Sequence, residues 1–346
     1  AGDFGHFLAP DGSRGAAVGI DVERPHVVAV VGKRGSGKTH TLGVVAEALS
    51  AARGVAPVVV DPVGDLGGLR EAGARVLEPT VQAATIPPRA WPSLLGLGPE
   101  SGAGSLVWRA AAEASTLGGM CAAVAAAEGS SAAKRAATNH LALAESWDVF
   151  GPDGLDAAAL DRPHGTVLDC SPLGDAATNA VCHAAASGSY ERRQRGTGRL
   201  LWLLVDEAHV AFDGVAAASL RTLLTRGRGP GVSLVVATQR PAALPDVAVS
   251  QADLLVAHRL TSEADRSALA VANAAYLDGD VTAALPDERG CALVVDDGAE
   301  AAHRVRVRPR RTADDGASPR AREVGDEPGV STADGSDGVG LSGGTD

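Results

Sequence analysis

Residues 26–42 have the sequence HVVAVVGKRGSGKTHTL, and this stretch decides the fold of the chain. An apolar β-branched run is followed by a glycine-rich turn and then by apolar residues at helical spacing, a pattern that predicts strand, loop and helix in direct succession. The turn, residues 32–39, matches G-x-x-x-x-G-K-[ST] at every fixed position. A phosphate-binding loop accounts for the whole pattern. The alternative, a glycine-rich turn with a chance Lys-Thr pair, does not explain why all three elements agree.

The residue types in the turn suit a bound triphosphate. Glycines let backbone N–H groups close around a phosphate, and the following helix points its positive dipole end at the same anion. Lys38 is expected to reach the β- and γ-phosphates, and the Thr39 hydroxyl to ligate Mg²⁺. We therefore expect ATP and Mg²⁺ as cofactors, with the nucleotide held by Gly32, Lys33, Arg34, Gly35, Ser36, Gly37, Lys38, Thr39 and His40.

A second apolar run, Leu200–Val205, ends in two adjacent acids. Its uninterrupted apolar character predicts a central parallel strand that is buried on both faces. Ligands of open α/β sheets bind at the carboxyl ends of such strands. Asp206 is therefore expected to hold Mg²⁺ together with Thr39, and Glu207 to act as general base or to orient the attacking water. Two solvated acids at a strand end are the alternative.

Gln239 and three arginines complete the candidate site. Gln239 follows the predicted strand 231–238, where its amide can contact the γ-phosphate or the attacking water, although a plain polar strand end fits as well. Arg226 and Arg228 lie just before that strand, and Arg259 follows the strand predicted at 253–258. An arginine at one of these positions could act in trans on a neighbouring subunit's γ-phosphate. A solvated or DNA-facing basic turn is an equal alternative.

Other polar residues receive no catalytic role from the sequence. Asp61 and Asp65 follow a predicted strand at 56–60, where they are either neighbours of the phosphate loop or part of a plain strand exit. His209 and His258 are expected to be structural, since no zinc-ligand spacing surrounds them. The four cysteines also lack metal spacing, which favours free thiols in a reducing cytoplasm.

Strand and helix patterns alternate along the chain, which predicts an α/β fold with a mostly parallel sheet and helices on both faces. We expect a short lead at residues 1–24, with a small strand at 17–22, and an ATPase domain at 25–311. An alanine-rich stretch predicts a helical insertion on the sheet at about residues 100–147, broken at 118–119 and 129–131. The strand predicted at 303–307 is expected to lie at the sheet edge, and residues 312–346 to form a disordered acidic tail.

Charge and composition narrow the range of partners. The net charge is −11, but the stretch from residue 312 onward holds eight acids against two arginines, so the folded part is only mildly acidic and leaves room for a local basic surface. The chain has only three lysines, which together with abundant Asp and Ala suggests a halophile; an ordinary acidic bacterial protein is the alternative. No run approaches the roughly 18 apolar residues of a membrane span, so we expect a cytoplasmic protein.

The segments GKRGSGKT, VVVDPVGD, LLVDEAH and GRGPGVSLVVATQRP occur in this order, and the chain thereby resembles the HerA–FtsK superfamily of ring-forming ATPases, most of all its HerA-like branch. The resemblance extends over residues 15–311. It implies a RecA-like P-loop NTPase core, Mg²⁺ with ATP, and a homo-oligomeric ring, a hexamer, with DNA in its pore.

The resemblance also implies roles for individual residues. Lys38 and Thr39 correspond to the nucleotide and metal ligands, and Asp206 and Glu207 to the Walker B acids. Gln239 corresponds to the sensor. Arg228 falls where the family has the arginine of a G-R-K-x-G-V segment, which makes it the first choice for the finger in trans.

HerA proteins carry an N-terminal β-barrel that docks a nuclease, whereas only about 25 residues precede the loop strand in this sequence. The resemblance therefore leaves a nuclease partner open. Three functions follow as hypotheses: a DNA translocase or helicase-like motor, a motor for protein substrates of the secretion or conjugation type, and a nucleotide-gated scaffold with little turnover.

Overall fold

Strands and helices alternate through the described part of the chain, which in this computed structural model comprises residues 1–9, 11–270 and 281–314. The strands are β1 (Gly2–Leu8), β2 (Arg14–Ile20), β3 (Val27–Val31), β4 (Val55–Asp61), β5 (Arg75–Leu77), β6 (Thr166–Asp169), β7 (Leu200–Val205), β8 (Val232–Thr238), β9 (Leu254–Ala257), β10 (Cys291–Asp296) and β11 (Ala301–Val307). The α-helices are α1 (Lys38–Ser50), α2 (Trp91–Leu94), α3 (Gly102–Glu113), α4 (Leu117–Ala126), α5 (Ser131–Glu145), α6 (Ala157–Leu160), α7 (Asp175–Gln194), α8 (Ala208–Phe212), α9 (Ala217–Arg226), α10 (Asp246–Ser250) and α11 (Glu263–Ala270). Short 3-10 helices lie at Gly67–Ala72, Ala83–Thr85, Pro88–Ala90, Pro241–Ala243 and Val281–Ala284.

The strands form one mixed sheet in the order β2-β1-β11-β10-β9-β3-β8-β7-β4-β6-β5. From β9 to β5 every neighbouring pair is parallel, whereas the pairs from β2 to β9 are antiparallel. Helix α1 packs on one face, and α7 and α9 contribute to a separate core on the other. The predicted fold class, an α/β P-loop domain with a mostly parallel sheet and helices on both faces, is confirmed.

The strand order brings the three motif-bearing strands together. Strand β8 lies between β3 and β7 and pairs with both of them in parallel. Val31 is opposite Thr238 in this register, and Val205 is opposite Val236. Because the chain leaves all three strands at the same edge of the sheet, the glycine-rich loop, the acids Asp206 and Glu207, and Gln239 all follow neighbouring strand ends.

The prediction of an edge strand at 303–307 is wrong. Strand β11 pairs with β10 on one side and with β1 on the other, so it lies inside the sheet. Strand β1 lies between β11 and β2, which is the edge strand and spans residues 14–20 where a smaller strand at 17–22 was predicted. Both segments contain glycines and lack a clean alternation of apolar and polar residues, so their pairing depends on the partner strand rather than on local pattern.

The helical insertion consists of α3, α4 and α5, and the predicted break at residues 118–119 is wrong. Both glycines lie in the first turn of α4, because the Thr116 side chain caps this helix by accepting a hydrogen bond from the Gly119 N–H at 3.1 Å. Ser130 caps α5 in the same way. The core of the insertion includes Ala180 of α7 and no strand residue among those described, so the insertion packs on α7 and not on the sheet.

After β11 the chain crosses the outer side of α1. Thr312 is buried, and its hydroxyl donates to Glu47 Oε1 at 2.8 Å. The predicted tail begins at residue 312, so its first residues are packed against α1, and residues 315–346 lie outside the described part. Among the helices described, none combines the length and apolarity needed to cross a membrane.

Candidate functional site

The phosphate loop folds back over the end of β9. The Lys33 N–H donates to the Arg259 carbonyl at 2.8 Å, and the Ser36 hydroxyl donates to the Lys33 carbonyl at 2.8 Å. A Cβ atom on Gly32 would lie 2.5 Å from Ser36 Oγ and 2.6 Å from His258 Cβ. Glycine is therefore the residue that lets the loop close at this point.

Helix α1 begins without a side-chain cap. Its N-cap is Gly37, which has a φ of 117° and no side chain to accept from the first turn. The first helical bond runs from the Thr41 N–H to the Gly37 carbonyl. The N–H groups of Lys38, Thr39 and His40 consequently have no partner within the helix, and together with the helix dipole they form an anion site.

Lys38 is almost completely buried below this anion site, with 5% of its surface exposed. Its ammonium donates to the Lys33 carbonyl at 3.3 Å. Burial lowers the pKa of Lys38, while the carboxylates of Glu207 and Asp206 act in the opposite direction. An ammonium has three N–H donors, so a phosphate beside the loop would supply acceptors that the described chain does not.

Asp206 lies directly opposite the first turn of α1. The Thr39 hydroxyl donates to its Oδ2 at 2.8 Å, and the Glu207 N–H donates to its Oδ1 at 2.8 Å. Burial raises the pKa of Asp206 to about 6, with these two hydrogen bonds acting against the rise. The carboxylate is thus under-solvated, which favours the binding of a cation next to Thr39 and Asp206.

Glu207 is held in an unusual backbone conformation. Its φ of 44° and ψ of 42° lie in the left-handed region, which costs a non-glycine residue roughly 1–2 kcal/mol. Its Oε2 is buried without a hydrogen bond from any described residue, although His209 Nδ1 is only 3.3 Å away. Strain and an unsatisfied acceptor in one residue are typical of functional positions.

Gln239 follows β8 at the same edge of the sheet and is partly buried. The carbonyl of the preceding Thr238 accepts from the Gly32 N–H at 3.3 Å, so Gln239 leaves the strand next to the loop. No described residue hydrogen-bonds its side-chain amide. The structure therefore brings Thr39, Asp206 and Glu207 together and places Gln239 at the neighbouring strand end.

The three candidate arginines lie in different places. Arg226 is exposed at the end of α9, and Arg228 precedes β8 and forms an ion pair with Asp253, so both are at the amino end of the strands. Seven residues of β8 separate this end from the site by about 20 Å. Arg259 is beside the loop, where its side chain pairs with Asp287 at 3.7 Å.

Two histidines, His40 in α1 and His258 after β9, lie next to the phosphate loop. His40 Nε2 lies 2.8 Å from the Arg308 carbonyl, so this ring nitrogen already has a partner in the chain. His258 is fully buried between Thr41 Oγ1 at 2.9 Å and the Cys291 carbonyl at 2.8 Å. Burial lowers the pKa of His258 to about 4, which fits a neutral ring that donates through Nδ1 and accepts through Nε2.

Asp61 organises the turn after β4. Its Oδ1 accepts from the N–H groups of Val63 and Gly64, and its Oδ2 accepts from the Leu66 N–H at 2.8 Å. Of the two alternatives for the VVVDPVGD segment, these bonds favour a strand exit shaped by its acid. The carbonyl of Asp65 accepts from Arg310, which ties the same turn to the chain after β11.

His209 is the site residue that the sequence analysis missed. Its Nδ1 lies 3.1 Å from Thr238 Oγ1 and 3.3 Å from Glu207 Oε2, so it contacts both the strand before Gln239 and the expected base. It also lines a cavity of about 680 Å³, to which Asn179 and Arg240 contribute. Its position two residues after Glu207, as the second residue of α8, is the sequence signal that could have indicated this contact.

The residues present fit a nucleotide with its metal. The start of α1 has no side-chain cap, Glu207 Oε2 has no hydrogen-bond donor among the described residues, and the Lys38 ammonium has the Lys33 carbonyl as its acceptor. A phosphate, a metal ion or a water would supply the further partners. No group of three or more His, Cys, Asp or Glu residues in the described ranges could hold a metal alone. This agrees with Mg²⁺, which usually binds through one or two protein ligands together with phosphate oxygens and waters.

The comparisons with known proteins agree with this arrangement. Residues 3–105 match the family model of the HerA helicase central domain. No curated protein matches the chain. VirB4 of Thermoanaerobacter pseudethanolicus has a TM-score of 0.70 at 18% identity, covering 89% of this chain and 96% of its own.

The bacterial conjugative coupling protein TrwB has a TM-score of 0.60 at 17% identity, covering 91% of each chain. A second structure of TrwB, with a non-hydrolysable GTP analogue, has a TM-score of 0.55 at 17% identity, covering 84% of this chain and 87% of its own. At such identities the structural likeness shows the fold alone. Together with the match of residues 3–105 to the HerA central-domain model, it confirms the resemblance seen in the motifs and the fold that the chain shares with these P-loop NTPases.

Proposed function

We propose that the chain is an ATP-hydrolysing motor that moves DNA, as a HerA-type translocase or helicase-like enzyme. The observation that carries the proposal is the direct contact of Thr39 with Asp206, with Glu207 and Gln239 at the adjoining strand ends. For phosphoryl transfer to water, an enzyme must bind the phosphates, hold the metal ion, align the attacking water and neutralise the charge of the transition state. Each of these tasks has a candidate residue at this edge of the sheet.

In this proposal each residue of the site has one role in ATP hydrolysis. The N–H groups at the start of α1 and the Lys38 ammonium bind the β- and γ-phosphates. Thr39 and Asp206 hold Mg²⁺, which when bound neutralises charge on the phosphate oxygens. Glu207 accepts a proton from the attacking water, and Gln239 aligns that water or contacts the γ-phosphate.

A ring of several copies, a hexamer as in HerA, is part of the same proposal. Arg228 lies about 20 Å from its own chain's site, so it can act on a nucleotide only in trans. Such a finger accelerates hydrolysis by about 10³–10⁵-fold. Its ion pair with Asp253 would have to open before it could reach a neighbour. Arg226 and Arg259 remain the other candidates, and a nuclease partner and a cytoplasmic location remain predictions.

DNA is favoured as the substrate because the matched family model is that of a helicase. The second candidate is a motor for protein substrates, since a net charge of −11 weakens long-range attraction to a phosphate backbone. A fold shared with a conjugative coupling protein fits either candidate.

The test is ATP turnover with and without duplex DNA, at low and at molar salt. We expect hydrolysis that DNA stimulates, and we expect Glu207→Gln to lower kcat by about 10²–10⁴-fold because it removes the general base. Lys38→Ala should abolish nucleotide binding or turnover. Glu191→Gln, an exchange of the same kind at an exposed position of α7, is the control and should leave turnover unchanged.

Three results would contradict parts of the proposal. Glu207→Gln with wild-type turnover would remove the catalytic assignment. Stimulation by a membrane or pilus partner, without stimulation by DNA, would favour the protein substrate. Binding of ATP without measurable hydrolysis would indicate a nucleotide-gated scaffold.

A further inference from the structure

We propose that His209 is a positioning residue that can hold Glu207 out of action, and that Thr238 at the end of β8 keeps it from doing so. The inference rests on the proposed function, since it concerns the regulation of the same base. It starts from a single ring nitrogen that has two acceptors. His209 Nδ1 lies 3.1 Å from Thr238 Oγ1 and 3.3 Å from Glu207 Oε2.

The position of the proton on His209 follows from its neighbours. An unprotonated Nδ1 would direct its lone pair at the Glu207 carboxylate, so the surroundings favour a hydrogen on Nδ1. One N–H group can serve only one of two acceptors well. In this structure the contact with Thr238 Oγ1 has hydrogen-bonding geometry, whereas Glu207 Oε2 has no hydrogen bond from a described residue. The Nδ1–H therefore donates to Thr238, and Glu207 is left free to accept a proton from water.

Thr238 is connected to the part of the site that senses the nucleotide. Its carbonyl accepts from the Gly32 N–H at 3.3 Å, and its hydroxyl also accepts from the Arg240 N–H at 3.0 Å. The residue between these contacts is Gln239. A shift of this strand end with the state of the γ-phosphate therefore moves the acceptor that holds the His209 proton.

Loss of the Thr238 contact has a definite consequence for Glu207. The Nδ1–H then turns to Glu207 Oε2, the other acceptor within its reach, and forms a charge-assisted hydrogen bond with it. A carboxylate held in this way is turned toward His209, and its Oε2 is no longer free to accept a proton from water. The backbone of Glu207 is fixed in the left-handed region at the start of α8, so only its side chain has to move.

The decisive test is a pair of substitutions and their combination. Thr238→Val keeps the shape of the side chain but removes the acceptor that competes with Glu207. His209 then donates to Glu207, and kcat falls by roughly ten- to a hundredfold, which is the change in rate that corresponds to one charge-assisted hydrogen bond. His209→Leu has no N–H to donate, so kcat stays within about threefold of wild type. The double variant should recover the rate of His209→Leu. KM for ATP should not change in any of them, because the phosphate cradle is untouched.

Thr238→Ser, which keeps the hydroxyl, is the matched control and should retain wild-type turnover. If the His209–Thr238 contact were merely structural, His209→Leu would lose as much as Thr238→Val and would not rescue it. Either of these two results overturns the inference.

A readout without turnover separates this inference from the proposed function. In a crystal structure of the nucleotide-free Thr238→Val protein, we expect His209 Nδ1 and Glu207 Oε2 at about 2.8 Å. An unmoved Glu207 side chain contradicts the inference even if the enzyme is an ATPase. A wild-type protein that hydrolyses no ATP contradicts the proposed function, and the crystal structure then decides the inference alone.

Discussion

Two buried carboxylates beside helix α1 are treated in opposite ways. Glu47, near the last turn of the helix, accepts four hydrogen bonds, from Arg308 at 2.6 Å, from the Arg311 N–H at 2.8 Å, and from the N–H and the hydroxyl of Thr312 at 2.9 and 2.8 Å. Asp206, opposite the first turn, accepts only from Thr39 and from the Glu207 N–H.

The difference is visible in the acidity of the two groups. Burial acts to raise the pKa of Glu47, but the hydrogen bonds from Thr312, Arg308 and Arg311 outweigh it and the pKa is lowered. Burial raises the pKa of Asp206 to about 6, and its two hydrogen bonds do not compensate. The chain supplies all the hydrogen bonds that the Glu47 carboxylate accepts, whereas the Asp206 carboxylate is under-solvated, as expected if it binds a cation in the proposed site.

The largest effect on stability is expected from removing the Glu47 carboxylate, which receives its hydrogen bonds from the chain itself. Glu47→Ala leaves Arg308 buried without its carboxylate and should lower the free energy of unfolding by about 3–5 kcal/mol. Urea denaturation at pH 7 measures this, and Glu191→Ala on the exposed side of α7 should change it by less than about 0.5 kcal/mol. Because the pKa of Glu47 is lowered, its contribution is present above pH 4.5 and is lost as the pH falls through the folded-state value. If the Glu47→Ala protein were as stable as wild type at pH 7, the proposed difference between Glu47 and Asp206 would be contradicted.

Removing the charge of Asp206 should have the opposite effect and raise the free energy of unfolding of the nucleotide-free protein. A pKa of about 6 against the ordinary 3.8 means that ionised Asp206 costs the nucleotide-free protein about 3 kcal/mol. Asp206→Asn keeps the shape and both hydrogen bonds, with the Thr39 hydroxyl as acceptor, so it should stabilise the free protein by up to about this amount at pH 8. The cost begins as the pH rises above 3.8 and is complete above about 6, so the gain should disappear near pH 3. Asp213→Asn, at an exposed position, is the control, and a loss of stability in Asp206→Asn would contradict this account.

The smallest effect concerns the ligand that completes the site. Asp206 must be ionised to hold Mg²⁺, so the affinity for Mg²⁺ with ATP should fall by up to tenfold, about 1.4 kcal/mol, for each pH unit below about 6. Calorimetric titration between pH 5 and pH 8 measures this dependence. The nucleotide titrates as well, but Asp206→Asn isolates that contribution and should lack the step due to Asp206. Identical pH profiles for the two proteins would show that Asp206 does not hold the metal.

The central fold was predictable because strands β3 and β7 carry continuous apolar runs that are buried on both faces whatever their neighbours are. Helix α1 was predictable for a similar reason, since its start is set by the loop and its apolar residues recur at helical spacing. The position of β11 was not predictable, because it depends on the weakly patterned β1, which pairs with β11 on one side and with β2 on the other.

The candidate site divides in the same way. Lys38, Thr39, Asp206 and Glu207 were singled out because their motifs are local and each follows a strand. His209 was taken for a structural residue because nothing in its neighbourhood in sequence indicates that its ring meets Thr238, 29 residues away. Arg228 was chosen by resemblance, and its place before β8 puts it at the amino end of the parallel strands, away from the phosphate loop.

The sequence by itself determined which segments form the parallel core and where the phosphate loop lies, since hydrophobic periodicity and turn chemistry act over a few neighbouring residues. Only the tertiary structure decided which buried carboxylates are fully hydrogen-bonded by the chain and which are not, because these hydrogen bonds come from donors in distant parts of the chain. Glu47 obtains its donors from residues more than 260 positions away, and Asp206 meets Thr39 across 167 positions.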